Sequence, residues 1–407
     1  MLFKFGFYSS LLLIFFVHTI VYCAMFMYRY YTQQRVASKW LAWFLLLAAL
    51  YLAPWMLGFA GWYDAQPYRD ILFYTPFQQL LLIGPVLFFY VQATFNPSLE
   101  IKGRQWWHFA PGLLYNVGCV LAWVYDKWVA KQYVFLASQN DPDFHPIYQL
   151  VGFISMMVYL VLSIKYYYAY KAAIEQVLSN AANFLFSWVR NFLIAFLLIQ
   201  LAWILNAAAG YIFNVSYADV WWYFLGFSII TYYIAIAGHG NMIEAKVFFK
   251  SDVFANHQQV LFLQRAPELL AYNHQGNFEN IEVATQETAV ANADLQEWKQ
   301  KIEQLLTAEK MYEQPELSLL QLAKPLGVNI AQLSKYINAG FGLNFNDLVN
   351  KYRVMAVIGL LEKGEHKRQT LLSIAYECGF NSKSTFNRAF KKEKGCTPQT
   401  YLQRNVL

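Results

Sequence analysis

Seven apolar segments, each about as long as a membrane-crossing helix, occupy the first 240 residues of this 407-residue chain. A bilayer core of roughly 30 Å needs about 20 apolar residues in a helix. Only helices fit, because unpaired backbone groups are too costly in hydrocarbon. The sequence therefore predicts an all-α protein that begins with a seven-helix transmembrane bundle, with spans at about 5–27, 40–61, 71–95, 107–128, 147–169, 192–213 and 220–237.

The composition agrees with a chain that is only partly surrounded by water. Apolar residues, with tyrosine and tryptophan included, make up 58% of the chain and charged residues only 14%, whereas soluble domains average about 25% charged. The first apolar segment lacks a small-x-small cleavage site and is longer than the core of a signal peptide, so we interpret it as a retained span. The four cysteines lie far apart and give neither a metal-ligand spacing nor a disulfide framework; they are Cys23, Cys119, Cys378 and Cys396.

Few polar side chains fall deep inside the apolar segments. No aspartate or glutamate lies at mid-depth, which argues against a proton-coupled pump, and no His, Asp and Glu cluster resembles a metal or hydrolase site. We therefore predict no catalytic residues, no cofactor and no metal. Buried polar side chains either hold helices together or line a ligand pocket. Both roles stay open for His18, Gln78, Gln79, Asn116, Gln200 and Asn206.

Hydrophobicity drops after residue 237, and residues 241–293 form a predicted juxtamembrane segment and linker. From Ser251 to Ala293 the chain is rich in Gln, Asn, Ala and Glu, with Arg265 as its only basic residue. Residues 260–270 are apolar enough for a short ordered piece, whereas residues 275–293 have the composition of a flexible chain. About 40 flexible residues span on the order of 35 Å, which is enough to let a C-terminal domain reach DNA near a membrane.

Residues 370–401 have the pattern of a helix-turn-helix. A short apolar helix ends at Gly379, and Ser382 is a suitable N-cap for the next helix. That helix places Phe386 and Phe390 on one face, four residues apart. A helix that enters the major groove of DNA needs such an apolar back and a polar, cationic front. The front consists of one row with Lys383, Asn387 and Lys391 and a second row with Ser384 and Arg388.

A similar but weaker pattern precedes it. Periodic apolar residues resume at Asp294, Ser318 and Gln321 form a capping box before a short helix, and Gly327 suits the tight turn of a first helix-turn-helix. Residues 345–363 then form one predicted helix of roughly 29 Å. Because one turn of B-DNA is about 34 Å, this connector would set two recognition helices into successive major grooves.

Residues from about 295 to 404 resemble the double helix-turn-helix domain of the AraC/XylS family of bacterial transcription regulators. The densest part of the match is Ile374-Ala375, Cys378-Gly379-Phe380, Ser382, Ser384, Phe386, Arg388, Phe390-Lys391, Gly395, Thr397-Pro398 and Tyr401. The first unit matches through Leu322-Ala323, Leu333-Ser334, Gly342, Phe345, Tyr352-Arg353 and Ala356. The resemblance covers about a quarter of the chain.

The resemblance implies which side chains face DNA. They are Lys383, Ser384, Asn387 and Arg388 in the second unit and Ala331, Ser334 and Lys335 in the first, while Lys391 adds charge near the phosphates. The first unit departs from the pattern, because Pro325 removes a backbone hydrogen bond late in its first helix. Ala331 offers only a methyl group, and Lys335 is the sole cation of the first recognition helix. We therefore expect the second unit to dominate phosphate binding.

The basic residues predict the orientation of the bundle. With seven spans, a DNA-reading, cytoplasmic C-terminus requires an N-terminus on the outer side. Lysine and arginine favour the cytoplasmic side of a membrane, and the connections on that side would carry Arg29, Arg35, Lys39, Lys102, Arg104, Lys165, Lys171, Arg190, Lys246 and Lys250. The outer connections would carry only Lys4, Arg69, Lys127 and Lys131. This indicates a multi-pass protein of the bacterial cytoplasmic (inner) membrane with its C-terminus in the cytoplasm.

These patterns favour a membrane-tethered, sequence-specific DNA-binding transcription regulator that couples a signal at the membrane to promoter binding. The expected domains are residues 1–240, 241–293 and 294–407. The expected partners are double-stranded DNA and membrane lipid, with a small-molecule or peptide signal and a homodimer left open. The alternative is a membrane transporter, enzyme or receptor whose C-terminal helical domain is regulatory or binds a protein partner.

Overall fold

The computed structural model is predominantly helical, which confirms the predicted fold class apart from one small sheet. It describes residues 3–96, 99–137, 141–179, 187–213, 216–240, 247–249, 269–272, 278–281 and 292–405. The apolar part contains α1 (Phe7–Gln33), α2 (Val36–Phe59), α3 (Tyr68–Tyr74), α4 (Leu80–Phe95), α5 (Ala110–Val124), α6 (Pro146–Val177), α7 (Ser187–Ile212) and α8 (Trp221–Gly240). Then follow β1 (Val247–Phe249), β2 (Leu269–Tyr272), β3 (Phe278–Ile281), α9 (Asn292–Thr307), α10 (Leu319–Leu326), α11 (Ile330–Phe341), α12 (Phe345–Glu362), α13 (Leu371–Glu377), α14 (Lys383–Lys394) and α15 (Pro398–Asn405).

The chain divides into two compact units. The first comprises Met1–Tyr167 and Ser187–Glu244, and the second comprises Tyr168–Phe186 and Ala245–Leu407. The end of α6 therefore belongs to the same unit as the helix-turn-helix region. The predicted domain boundaries did not include this segment in the C-terminal unit.

Helices cover every predicted span, but two of the seven are interrupted. The span predicted at 71–95 breaks between α3 and α4, where Thr75 is extended because a residue that precedes a proline is disfavoured in the helical region. The span predicted at 107–128 combines a 3-10 segment (Gly103–Phe109), α5 and a π-helical segment (Tyr125–Ala130). By length and composition, five described helices suffice to cross a membrane, namely α1, α2, α6, α7 and α8.

The N-terminal unit exposes large apolar side chains along most of its helices. Leu114 on α5, Leu205 on α7 and Trp222 on α8 each expose about 70% of their surface. Water-soluble proteins rarely expose contiguous apolar patches of more than a few hundred Å². This surface suits the apolar surroundings that the composition indicates.

The linker contains three short strands that the sequence analysis did not predict, and one of them, β3, lies within the stretch predicted to be flexible. The strands β1, β2 and β3 form an antiparallel sheet in that order, with Val247 opposite Ala271 and Leu269 opposite Ile281. Short runs rich in aromatic and branched side chains favour a pleated surface and are too brief for a helical stripe. The ordered piece predicted at 260–270 is described only from Leu269 onward, and its remainder lies outside the described residues, as does most of the predicted flexible stretch.

The C-terminal unit has two apolar cores that share one helix. The first core contains Phe345, Leu348 and Val349 from the first half of α12, packed against buried side chains of α9, α10 and α11. The second core takes its α12 residues from the other half of the helix, including Val357 and Leu361, and adds α13 and α14. The predicted connecting helix at 345–363 is thus confirmed, and it lies between two helix-turn-helix units.

Candidate nucleic-acid interface

The second recognition helix, α14, is fixed at both ends by its own sequence. The backbone N–H of Thr385 donates to Ser382 Oγ at 3.2 Å, which caps the first turn. At the other end Gly395 takes a left-handed φ of 71°, a conformation that glycine adopts without a steric penalty. The predicted N-cap at Ser382 is thus confirmed.

The inner face of α14 is apolar and consists largely of aromatic rings. Phe386 and Phe390 are buried, and their ring centroids lie 5.7 Å apart in an edge-to-face arrangement. Phe380 contacts Phe386 and Tyr401 contacts Phe390, with centroid distances of 5.3 and 5.4 Å. Such ring pairs add about 0.5–1.5 kcal/mol beyond the area they bury, so the back of α14 is firmly held.

The outer face of α14 carries the side chains that the sequence assigned to DNA. Lys383, Ser384, Asn387, Arg388 and Lys391 are all exposed, which places them together on one side of a single helix. Three lysines lie in the last turn of the helix, and one of them, Lys392, forms an ion pair with Asp347 Oδ2 at 2.6 Å. The face offers amide, hydroxyl and guanidinium groups flanked by positive charge, a set that can bind base edges and phosphates.

The turn before α14 requires glycine. Gly379 has a φ of 87°, which disfavours any side chain, and a Cβ placed there would collide with the carbonyl oxygen of Tyr312. The adjacent Cys378 is buried, and burial raises the pKa of its thiol to about 12. Cys378 is therefore a neutral core residue.

The first recognition helix, α11, is built in the same way but presents a poorer surface. Asn329 caps it by accepting from the N–H of Gln332 at 2.7 Å. Ser334 is only 8% exposed and Lys335 is half-buried, while the side chain of Ala331 lies outside the described part of the chain. Of the two predicted residues whose side chains are described, Lys335 is thus the one that reaches solvent.

The first helix of this unit, α10, tolerates its proline. The capping box predicted at its start is present, with the N–H of Gln321 donating to Ser318 Oγ at 3.3 Å and the N–H of Ser318 donating to Gln321 Oε1 at 2.8 Å. Pro325 lies in the last turn of this eight-residue helix, two residues before Gly327 ends it in a left-handed conformation. The proline removes one backbone donor from this turn, and the helix ends after one further residue.

Arg353 joins residues of the two helix-turn-helix units within the C-terminal unit. It is 1% exposed, and its guanidinium donates to the carbonyl oxygens of Tyr312 at 2.8 Å and Gln314 at 2.7 Å. It also lies 5.9 Å from the ring centroid of Phe380. Burial lowers the pKa of Arg353 to about 10, which leaves it charged at neutral pH. The family resemblance included Arg353 but did not predict that its side chain joins the two helix-turn-helix units.

The end of α6 contributes a contact that the sequence analysis missed. The N–H of Ser179 donates to the carbonyl of Leu317 at 3.1 Å, and Leu178 pairs with Ser318 in an isolated antiparallel bridge. Arg353 Nη2 donates to Ser179 Oγ at 3.2 Å, and Asn350 Nδ2 donates to the Ser179 carbonyl at 3.3 Å. The signal available in the sequence was a polar row of Asn346, Asn350 and Arg353, which recur at four- and three-residue steps on one face of α12.

One family comparison agrees with this geometry. Residues 322–404 match the family described as "Helix-turn-helix domain", of the AraC type. Among solved structures, one described as a protein of unknown function from Listeria innocua is similar at 27% identity over 26% of this chain and 93% of that chain, with a TM-score of 0.23. No curated protein matches the chain. The matched residues form a helix-turn-helix domain of a family of DNA-binding regulators, which are generally not enzymes.

Proposed function

We propose that this protein is a membrane-tethered, sequence-specific transcription regulator of the bacterial cytoplasmic membrane, with its C-terminal unit in the cytoplasm. The observation that carries the proposal is the outer face of α14, where Lys383, Ser384, Asn387, Arg388 and Lys391 lie exposed on one side of a capped helix. The match of residues 322–404 to the helix-turn-helix family supports it.

In this proposal α14 lies in a major groove and supplies most of the binding energy. Arg388 and Asn387 have the donor and acceptor groups that pair with guanine and adenine edges, and each good bidentate pair is worth about 1–3 kcal/mol of discrimination. Lys383 and Lys391 neutralise phosphates, and Ser384 adds a hydrogen bond. In the first unit, Lys335 serves as a phosphate contact, while Ala331 and Ser334 make at most close apolar or backbone contacts.

The membrane half supports the tethering part of the proposal. Five described helices have the length and apolar composition to span a bilayer, and the basic residues favour the orientation with a cytoplasmic C-terminus. The end of α6 lies in the C-terminal unit, where Ser179 contacts Leu317 and Arg353. This contact supplies a route by which a small-molecule or peptide signal acting on the apolar helices, or the pairing of two copies, would reach the DNA-binding unit.

Genome-wide occupancy of the tagged full-length protein tests the proposal. We expect discrete sites for the wild type and their loss in a Lys383→Ala/Arg388→Ala/Lys391→Ala variant. Lys301→Ala, on the exposed face of α9, is the matched control and should keep all sites. Fragments from those sites should be retarded by the full-length protein in lipid nanodiscs, with a steep salt dependence.

Two outcomes would refute the proposal. One is an occupancy profile that the triple variant leaves intact. The other is a reporter fused after residue 407 that is active only outside the cytoplasm. Capture of a protein partner by a triple variant that no longer retards DNA would favour a regulatory or receptor role for the C-terminal unit.

A further inference from the structure

The N-terminal unit contains a cavity where five of its helices meet. Side chains from α2, α4, α6, α7 and α8 line it. The space open to the centre of a water molecule is about 30 Å³, and the total empty volume, including the mouth, is about 470 Å³. A single buried water needs at least ~10–15 Å³ on the first measure. The enclosed space thus takes only a small group, and a ring-sized body must occupy the remaining empty volume.

The wall of the cavity is apolar and uncharged. It consists of aliphatic and aromatic side chains together with Gln149, Gln200, Tyr51 and Tyr223, and it includes no acidic or basic residue. An ion placed here would lose its hydration without gaining a counter-charge, which is prohibitively costly. The cavity therefore selects for neutral ligands.

One wall residue has an unused hydrogen-bonding atom. Gln200 is 2% exposed, and its Nε2 donates to Met156 Sδ at 3.4 Å, a weak acceptor. Its Oε1 has no hydrogen-bond partner within the described structure. A buried acceptor without a partner is destabilising, so this oxygen is a place where an incoming N–H or O–H group gains a hydrogen bond.

A second polar feature lies on two other helices of the wall, α2 and α8. The hydroxyls of Tyr51 and Tyr223 are 3.0 Å apart and share one hydrogen bond. Whichever hydroxyl accepts still has its own proton to donate. The wall therefore offers one vacant acceptor and one spare donor, with the Trp203 side chain also lining the space.

We propose that this cavity binds a small, neutral ligand with an aromatic or aliphatic body and an N–H or O–H group that donates to Gln200 Oε1. The ligand's apolar body packs among the aromatic side chains that line the cavity, and its polar group donates to Gln200 Oε1. The claim that this ligand is the signal of the regulator rests on the proposed function. The claim that the cavity binds the ligand is independent of that function.

The test uses 4-fluorophenol and 4-fluorotoluene, which have the same shape and differ in one hydroxyl group. Fluorine NMR would follow both probes with the full-length protein in lipid nanodiscs, and empty nanodiscs would correct for partition into lipid. We expect saturable binding of 4-fluorophenol and at least about tenfold weaker binding of 4-fluorotoluene, as a single hydrogen bond provides. Gln200→Leu should weaken 4-fluorophenol about tenfold and leave 4-fluorotoluene unchanged.

Two further variants complete the test. Gln92→Leu removes another glutamine that is equally buried and also has an unpartnered Oε1 but does not line the cavity, so it should leave both probes unaffected. Ala48→Leu, which fills part of the cavity, should exclude both probes. The unliganded melting temperature of each variant shows that it is folded.

Three results would overturn the assignment. They are binding of neither probe above empty nanodiscs, equal binding of the two probes, and a folded Gln200→Leu protein with unchanged 4-fluorophenol affinity. The last two would mean that a buried water, and not the probe, satisfies Gln200 Oε1. If 4-fluorophenol binds as expected and the same sample never retards DNA, the proposed function fails while the ligand site stands.

Discussion

The two recognition helices, α11 and α14, are each 12 residues long and each begins after a side-chain N-cap. Counted from their first residues, Leu333 and Ile337 of α11 occupy the same buried positions as Phe386 and Phe390 of α14. The positions that correspond to the exposed face of α14 differ: Ser334, which is buried, stands where α14 has Asn387, and Lys335 stands where it has Arg388. The same buried positions therefore specify the fold of both helices, whereas the residues on the opposite face determine how many groups each helix can offer to DNA.

The largest expected effect comes from removing the shared inner positions. Phe390→Ala should lower the free energy of unfolding of the C-terminal unit by about 3–5 kcal/mol, because it empties the centre of the aromatic core. Ile337→Ala should lower it by about 2–5 kcal/mol. Denaturant melting of the full-length protein, monitored within the C-terminal unit, measures both. If either variant kept its midpoint, the claim that the two helices pack alike would fail.

The turns before α11 and α14 should differ in how strongly a glycine-to-alanine substitution destabilises the protein. Gly379→Ala should cost about 2–4 kcal/mol, since it combines an unfavourable positive φ with overlap of the Tyr312 carbonyl. Gly327→Ala meets open space and carries only the backbone penalty, about 1–2 kcal/mol. Thermal melting of the pair tests this difference. Equal losses would show that the contact between the second turn and Tyr312 contributes nothing.

The outer faces should differ in DNA affinity. Arg388→Ala should weaken binding by about 1–3 kcal/mol and relax sequence preference, because its guanidinium is proposed to read a base edge. Lys335→Ala should weaken all sequences alike and lower the salt slope by roughly 1, as expected for a phosphate contact. Titrations at fixed salt and across a salt series would measure both. A larger effect of Lys335→Ala on sequence preference would reverse the assigned roles.

The smallest effect concerns the ion pair between Lys392 and Asp347. Lys392 is well exposed, so Asp347→Asn should change stability by only about 0.2–1 kcal/mol, and added salt should erase the change. Melting at low and high ionic strength measures it. A loss that persists at high salt would mean that Asp347 acts through its position in the first turn of α12.

Local sequence signals predicted much of this architecture. The connecting helix, predicted at 345–363, is Phe345–Glu362, and the caps at Ser318 and Ser382 are where their side chains indicated. These features depend on residues within one or two turns of each other. The exposed row of α14 was predictable for the same reason, because its period follows directly from the helix.

Features that depend on distant parts of the chain were not predictable. The burial of Ser334 is set by how α11 packs, and the partners of Arg353 lie some forty residues earlier in the chain. The Ser179 contact joins segments more than 170 residues apart. The strands β1 and β2 are separated by the chain between Phe249 and Leu269, so no local pattern identifies their pairing. In each case the deciding interaction is tertiary.

The helix α12 belongs to both cores of the C-terminal unit, and this has a consequence for how that unit unfolds. Neither helix-turn-helix unit can unfold without exposing part of α12, on which the core of the other unit depends. We therefore expect a single all-or-none transition in calorimetry. The first helix-turn-helix unit, which has the poorer DNA surface, then stabilises the second unit, so weakening the first lowers DNA occupancy. A destabilising change in a side chain that never contacts a nucleotide would therefore still lower DNA occupancy, because it lowers the fraction of molecules that are folded.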